Sequence, residues 1–436
     1  MKYTIKLIFL IAFILPINEA SKIKAQAWIQ KGIDIDGNGS YAGIGHSISL
    51  SKDSNIVAFG TRSGHVKVYS WNGTTWIQKG ANINGEVFND WAGFSVDINS
   101  AGNTVAIGAI YNDGNGSNAG HTRVYIWNGS AWVQKGIDID GENTGDNSGY
   151  AVSLSSDGNT VAIGAIYNDG NGSNAGHTRV YIWNGSAWIQ KGTDIDGEWN
   201  LDESGTSVSL SSDGNTVAIG AQFNDGNGQG SGHVRIYMWN GSAWIQKGID
   251  VDGEYSNSHS GRSVSLSADG NTFAVGAPEN YGNALNAGHG RVYFWDGTAW
   301  VQKGLDIDGN AVDDRAGMSI SLSSDGNTVA IGALQNGNAN GLGYVMIYSW
   351  NGTTWIQKAL NILGETIGDA GGWSLSINSD GNKVAIGTPW NDENAIDAGH
   401  VRIFEYGTCP SDSGIQVITT CDSLIWIDNQ VYYTSN

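Results

Sequence analysis

The stretch Gly102–Gly136 occurs twice. It returns as Gly158–Gly192 with a single change, Ile189 for Val133, and looser copies follow at a spacing of about 56 residues along most of the chain. A unit this short cannot bury a core of its own and must share one with its neighbours, so the chain reads first as a repeat array. That reading overrides the two or three domains that 436 residues would ordinarily suggest.

Each unit carries four apolar runs. The first is S-V-S-L-like, from Ser47–Leu50 and Ser95–Ile98 through Val152–Leu154 to Leu375–Ile377. A tight S-D-G-N turn follows, as at Ser156–Asn159, where Asp-Gly supplies the positive φ of a short hairpin. The second run is T-V-A-I-G-A (Thr160–Ala165). After a longer polar loop comes the third, H-T-R-V-Y-I-W (His177–Trp183), and Asn184-Gly185 turns into the fourth, A-W-I-Q-K-G. Aromatic and β-branched runs, cut short by 64 Gly with only 4 Pro, point to an all-β protein. Four antiparallel strands per unit make the blade of a propeller.

Every strand type occurs seven times, but out of phase. The array opens on a fourth strand at Trp28–Gly32 and stops after a third at His400–Tyr406. The simplest solution is a seven-bladed β-propeller, residues 28–407, closed by the N-terminal strand (28–32) completing the last blade. An open solenoid would leave raw sheet edges.

The ends have a different chemistry. Lys2 and Lys6 precede the apolar run Leu7–Ile17, and Ala25-Gln26-Ala27 offers an A-x-A site. Residues 1–27 read as a secretory signal peptide cut after Ala27, with Ala20 and Ala25 as alternatives. The apolar run is too short for a membrane span. The expected location is therefore secreted or cell-surface, with no membrane span. Residues 408–436 carry Cys409 and Cys421, which are expected to pair in an oxidising compartment, and read as the start of a truncated C-terminal β module. A formal charge of −20 argues against nucleic acid or anionic membrane as partner, and the ring is expected to be monomeric.

The unit resembles the FG-GAP repeat of integrin-type propellers and their bacterial relatives. Gly93-Phe94-Ser95-Val96 carries the FG half, Val275-Gly276-Ala277-Pro278 the GAP half, and Gly290-Arg291-Val292-Tyr293 the strand that follows. Most copies keep the glycine and replace Phe, as at Gly149-Tyr150 and Gly205-Thr206. The W-x-Q-K-G-x-D-I-D-G-E register is similar to exported proteins of gliding or type IX-secreting bacteria. In integrin-type units a D-x-D-x-D-G loop holds calcium between the first two strands. Here that loop is the bare S-D-G-N turn, so the family site does not transfer to Asp157, Asp213, Asp269 or Asp325.

If the strands run up and down in order, the second-to-third and fourth-to-first loops open on one face. That face collects Asp34/Asp36, Asp138/Asp140, Asp194/Asp196, Asp250/Asp252 and Asp306/Asp308, and is expected to be acidic and to meet the partner. D-G-N-G-S spaces oxygens at alternate residues (Asp113, Asn115; Asp169, Asn171) as a calcium loop begins, with Asp225 and Asn227 in the equivalent places. Two readings stand: Ca²⁺ shared between these residues and the Asp138/Asp140 and Asp194/Asp196 pairs, or the commoner Asx-rich turn. Histidines before the third strand (His65, His121, His177, His233, His289, His400; Tyr344 in the seventh place) are expected to hydrogen-bond Asp90, Asp146, Asp202, Asp314 or Asp369. The Trp pairs around each Asn-Gly turn suit inter-blade packing better than sugar stacking. No nucleophile–base set stands out. His259, Arg262 and Asp313-Asp314-Arg315 break the repeat and read as loop drift. The expected function is a non-enzymatic exported binding or adhesion propeller contacting extracellular protein or glycan. The alternatives are a lectin with inter-blade Trp pockets and a polysaccharide-active enzyme at the channel mouth.

Overall fold

The computed structural model describes residues 26–87, 89–335 and 341–408, plus the backbone of two short strands, Leu424–Ile425 and Val431–Tyr432, that pair with each other. The expected signal peptide, up to residue 25, and both cysteines lie outside the described residues.

The T-V-A-I-G-A runs are buried along their whole length, as at Thr104–Ala109 and Thr160–Ala165. A strand buried on both faces has to lie inside its sheet and between neighbouring sheets. The pairing agrees. In blade 3 the order is Ser148–Leu154, Thr160–Ala165, His177–Trp183, Trp188–Gln190, antiparallel throughout, and six further sheets repeat it. No helix occurs among the described residues, and none there could cross a membrane. The first strands, from Ile44–Leu50 in blade 1 to Ser374–Ile377 in blade 7, touch in cyclic order and surround the axis. Serines stitch them together: Ser95 donates to the Gly149 carbonyl at 2.7 Å, and Ser374 reaches across the closure to Gly45 at 2.6 Å.

The ring closes as the strand count requires. Gln26–Gln30 pairs with His400–Thr408, with Trp28 opposite Tyr406 and Gln30 opposite Phe404. The ladder starts at Gln26, so it includes two residues that a cut after Ala27 would remove.

One element was not foreseen. The Ile-Asp of D-I-D-G forms a two-residue strand, such as Ile139–Asp140, that pairs with the third strand beyond W-x-Q and sets Asp140 opposite His121. The outer edge of each blade is thus two short pieces joined through Lys-Gly. Gly192 at this joint has φ +84°, and a Cβ there would stand 2.8 Å from the Trp239 ring of the next blade. The Trp pairs therefore pack between blades, as expected. Trp188 donates to the Lys135 carbonyl at 2.6 Å, and Lys135 Nζ lies 5.4 and 5.1 Å from the Trp183 and Trp188 ring centres. Each indole N–H of this kind is spent on backbone, from Trp76 to Trp355.

A second inter-blade ring uses the first strand's next inward residue. Ser49, Ser153, Ser209, Ser265, Ser321 and Ser376 each accept a backbone N–H of an adjacent blade, and blade 2 alone has an acid there, Asp97. Burial pushes the Asp97 carboxyl up to about 6, against the pull of donors from Ser49 and the Leu154 N–H. A carboxyl raised this way costs stability when ionised: the cost is full above pH 6 and absent below the unfolded value of 3.8. Asp97→Ser should therefore stabilise the ring by up to about 3 kcal/mol at pH 7.5, with most of the gain gone at pH 4. Urea denaturation of both forms at the two pH values checks this.

Candidate binding site at the channel mouth

The two long loops of each blade share one end of the ring and are hydrogen-bonded together. Gly141 donates to the Gly120 carbonyl at 2.7 Å and Ser148 to Ala119 at 2.9 Å. The residues expected to hold calcium lie in this layer, but most serve the loops. Asp113, Asp169 and Asp225 accept the N–H of Asn118, Asn174 and Gly230, five residues on, at 2.8, 2.8 and 2.7 Å, and so close their loops. Asn115, Asn171 and Asn227 turn their amide nitrogens onto the carbonyls of Gly141, Gly197 and Gly253, each at 2.8 Å. Asp140 and Asp196 sit opposite His121 and His177 in the ladders. Only Asp138 and Asp194, of these ten, converge with a histidine and a glutamate: Glu86/His121/Asp138 and Glu142/His177/Asp194.

Five of the seven third strands begin His-x-Arg, and alternation puts both side chains on one face. In blade 2 Arg123 forks onto Asp138 (2.9 and 2.7 Å) and also grips Glu86 from the preceding blade. Burial and Arg123 push the His121 imidazole down, and His177 and His233 fall to about 4 through burial and their own neighbouring arginines. The expected histidine bonds to Asp90, Asp146, Asp202 and Asp369 are not made among the described residues. Three of those carboxylates instead accept the amides of Asn112, Asn168 and Asn391, and Asp202 accepts that of Asn224. The one third-strand side chain that does reach this acid is the odd one, Tyr344, which donates to Asp314 at 2.6 Å. Blade 6 has lost the ionic set together: Asn310, Tyr344, Met346 and Asn361 stand where blade 3 has Glu142, His177, Arg179 and Asp194. A buried charge left without its partners is costly, which fits the joint replacement in blade 6, although blade 1 keeps Lys67 with Asn38 and Asn82 in the carboxylate places.

The channel mouth follows a different rule. Two positions at the entrance to each first strand carry a different residue in every blade. One reads His46, Phe94, Tyr150, Thr206, Arg262, Met318, Trp373; the other Gly43, Trp91, Asn147, Glu203, His259, Arg315, Ala370. Adjacent members touch around the axis. Rings of His46 and Phe94 lie 5.2 Å apart, His46 and Trp373 5.8 Å, Phe94 and Tyr150 4.8 Å. The residues after the second strand complete the belt: Trp390 stands edge-on to Trp373 at 4.5 Å under Arg62, and Glu279 pairs with His259 at 3.4 Å. Burial pushes His46 down to about 4, and the guanidiniums of Arg62 and of Arg262 on a distant blade act in the same direction.

Backbone conformation marks the second position. Trp91, Asn147, Glu203, His259, Arg315 and Ala370 all have φ between 52° and 55°. Glycine or asparagine adopts that region cheaply, and Trp, Glu and Arg do not. Arginine placement is equally uneven. Of the eight arginines, five belong to the His-x-Arg sets, and the remaining three, Arg62, Arg262 and Arg315, are all at the mouth. An acidic rim thus surrounds a centre that gathers Trp91, Phe94, Tyr150, Trp373 and Trp390, the three arginines, His46 and His259, with Glu203 and Glu279 among them. His259, Arg262 and Arg315, read from the sequence as loop drift, lie in this centre. The signal was present in sequence as column-by-column divergence between units that are otherwise near copies.

The FG-GAP repeat family model matches residues 133–182. The match runs from the outer strand of blade 2 through the third strand of blade 3. No curated protein matches the chain. FG-GAP propellers are typical of binding and adhesion domains. In this ring the Phe position of the motif is the mouth position that differs in all seven blades.

Proposed function

We propose that the chain is a secreted or cell-surface binding and adhesion module, of the kind exported by gliding or type IX-secreting bacteria, whose channel mouth holds an extracellular protein or glycan. One observation carries this reading: units copied almost letter for letter diverge at the mouth, in residues that hold an unfavourable φ or in arginines outside the repeated sets. Aromatic faces supply stacking area and guanidiniums supply forked donors, the usual composition of a binding hot spot. The lectin reading with Trp pockets between blades loses support, because those indoles are filled by lysine. Screening the purified chain on glycan and extracellular-protein arrays should give hits that Arg262→Ala removes. Hits that survive this change and Trp373→Ala would shift the site elsewhere.

A second reading has its own support. Burial raises the Glu203 carboxyl, which accepts Gln222 at 3.1 Å, and the His259–Glu279 pair lies on the same belt. A raised carboxyl and a second carboxylate, Glu279, on one belt are the kinds of group that polysaccharide cleavage uses. Reducing-end release from acidic polysaccharides that Glu203→Gln abolishes would favour it.

A further inference from the structure

The His/Asp/Glu groups are not equivalent from blade to blade. In blades 2 and 5 the arginine closes onto both carboxylates: Arg123 onto Asp138 and Glu86, Arg291 onto Asp306 and Glu254. Those groups are filled. In blades 3, 4 and 7 the guanidinium instead donates to a backbone carbonyl of the preceding blade, Asp140, Asp196 and Leu363, at 2.5, 2.5 and 2.7 Å. Blade 7 then adds a fourth ligand. Where blades 2 to 5 have Gly114, Gly170, Gly226 and Gly282, it has Glu393.

The result is His400, Asp34, Glu365 and Glu393, with one ligand atom from each lying within 4.8 Å of all the others. His400 is 0 % exposed, and neither ring nitrogen has a hydrogen-bond partner. Its Nδ1 is aimed into the group, 3.4 Å from Glu365 and 3.8 Å from Asp34. Ligand atoms of a tetrahedral zinc site stand about 3.4 Å apart, given metal–ligand bonds of about 2.0–2.1 Å. Calcium needs 6–8 oxygens at longer range and does not favour an imidazole. Arg402 stays at the edge, 3.3 Å from Glu365, and leaves two carboxylates without a cationic partner.

We propose that these four residues bind one Zn²⁺. Its position in the fold is at the seam of the ring. Asp34 belongs to the N-terminal segment, His400 and Glu393 to the last blade, and Glu365 to the connection from the blade before. The ion ties the two ends of the propeller together.

The test is calorimetric titration of the EDTA-stripped, folded chain with ZnCl₂, with CaCl₂ and MgCl₂ as controls, alongside melting curves. One equivalent of Zn²⁺ should bind and raise Tm by several degrees, with no such response to Ca²⁺ or Mg²⁺. Glu393→Gly restores the residue of the other blades, so it should fold and bind Zn²⁺ at least tenfold more weakly. His400→Asn should lose binding, and Asp138→Asn, in the arginine-filled group of blade 2, should leave it unchanged. No Zn²⁺ binding by the folded chain, or binding indifferent to Glu393→Gly and His400→Asn, overturns the proposal.

Discussion

A chain lacking residues 26–36 should fail to fold into a stable monomer. That segment supplies the outer edge of blade 7 through five paired residues, and through Ile35 opposite Val401. Trp28 and Ile35 are both buried against it, and Lys358 and Tyr406 close over the Trp28 ring. Removing a buried Trp alone costs about 3–5 kcal/mol, against a whole-domain stability of about 5–15 kcal/mol. The deletion also bares the third strand of blade 7 as a sheet edge, which invites association. Trp28→Ala should therefore lower the urea midpoint sharply, and the deletion should give aggregates or a non-cooperative transition. A synthetic peptide of residues 26–36 added in trans should restore cooperativity. An unchanged midpoint in either variant would mean that the clasp is not what closes the ring.

Substitutions at the mouth should separate stability from binding. Glu203→Gly, His259→Gly and Arg315→Gly each relieve a φ near 53° in a place where blade 1 already has Gly43. Each should raise stability by about 1 kcal/mol while weakening the captured partner at least tenfold. Arg262→Ala, where no such φ is involved, should lose binding without the gain. Sites selected for function are held at a cost in stability, and sites that have merely drifted are not. If the glycine variants gain stability and bind as before, the mouth residues are incidental.

Architecture was legible because the repeat is nearly literal. Trp28 out of phase with His400–Tyr406 sufficed to place the clasp, and S-D-G-N and Asn-Gly set the hairpins. The short Ile139–Asp140 strand was not legible, since two residues carry no periodicity. Histidine partners were misassigned because the choice between Asp138 and Asp146 depends on which side of the third strand the ring faces, and the Asn112-type amides that take the other acid lie 22 residues away in chain. The variable residues of the mouth are hard to read in sequence for a subtler reason. Looking for what the units share hides the places where sharing has stopped, and Phe94, Tyr150 and Thr206 pass as imperfect copies of a motif. Only the ring geometry, which brings His46 against both Phe94 and Trp373, turns seven unlike residues into one surface.

Hydrogen–deuterium exchange of the full chain, alone and saturated with the partner recovered from the arrays, tests the binding site most directly. Protection should appear in 91–94, 203–206, 259–262 and 370–373, four segments far apart in sequence that meet at the axis. Protection confined to the Asp138–Asp140 type rim, or to the outer Trp strands, would contradict a binding site at the channel mouth.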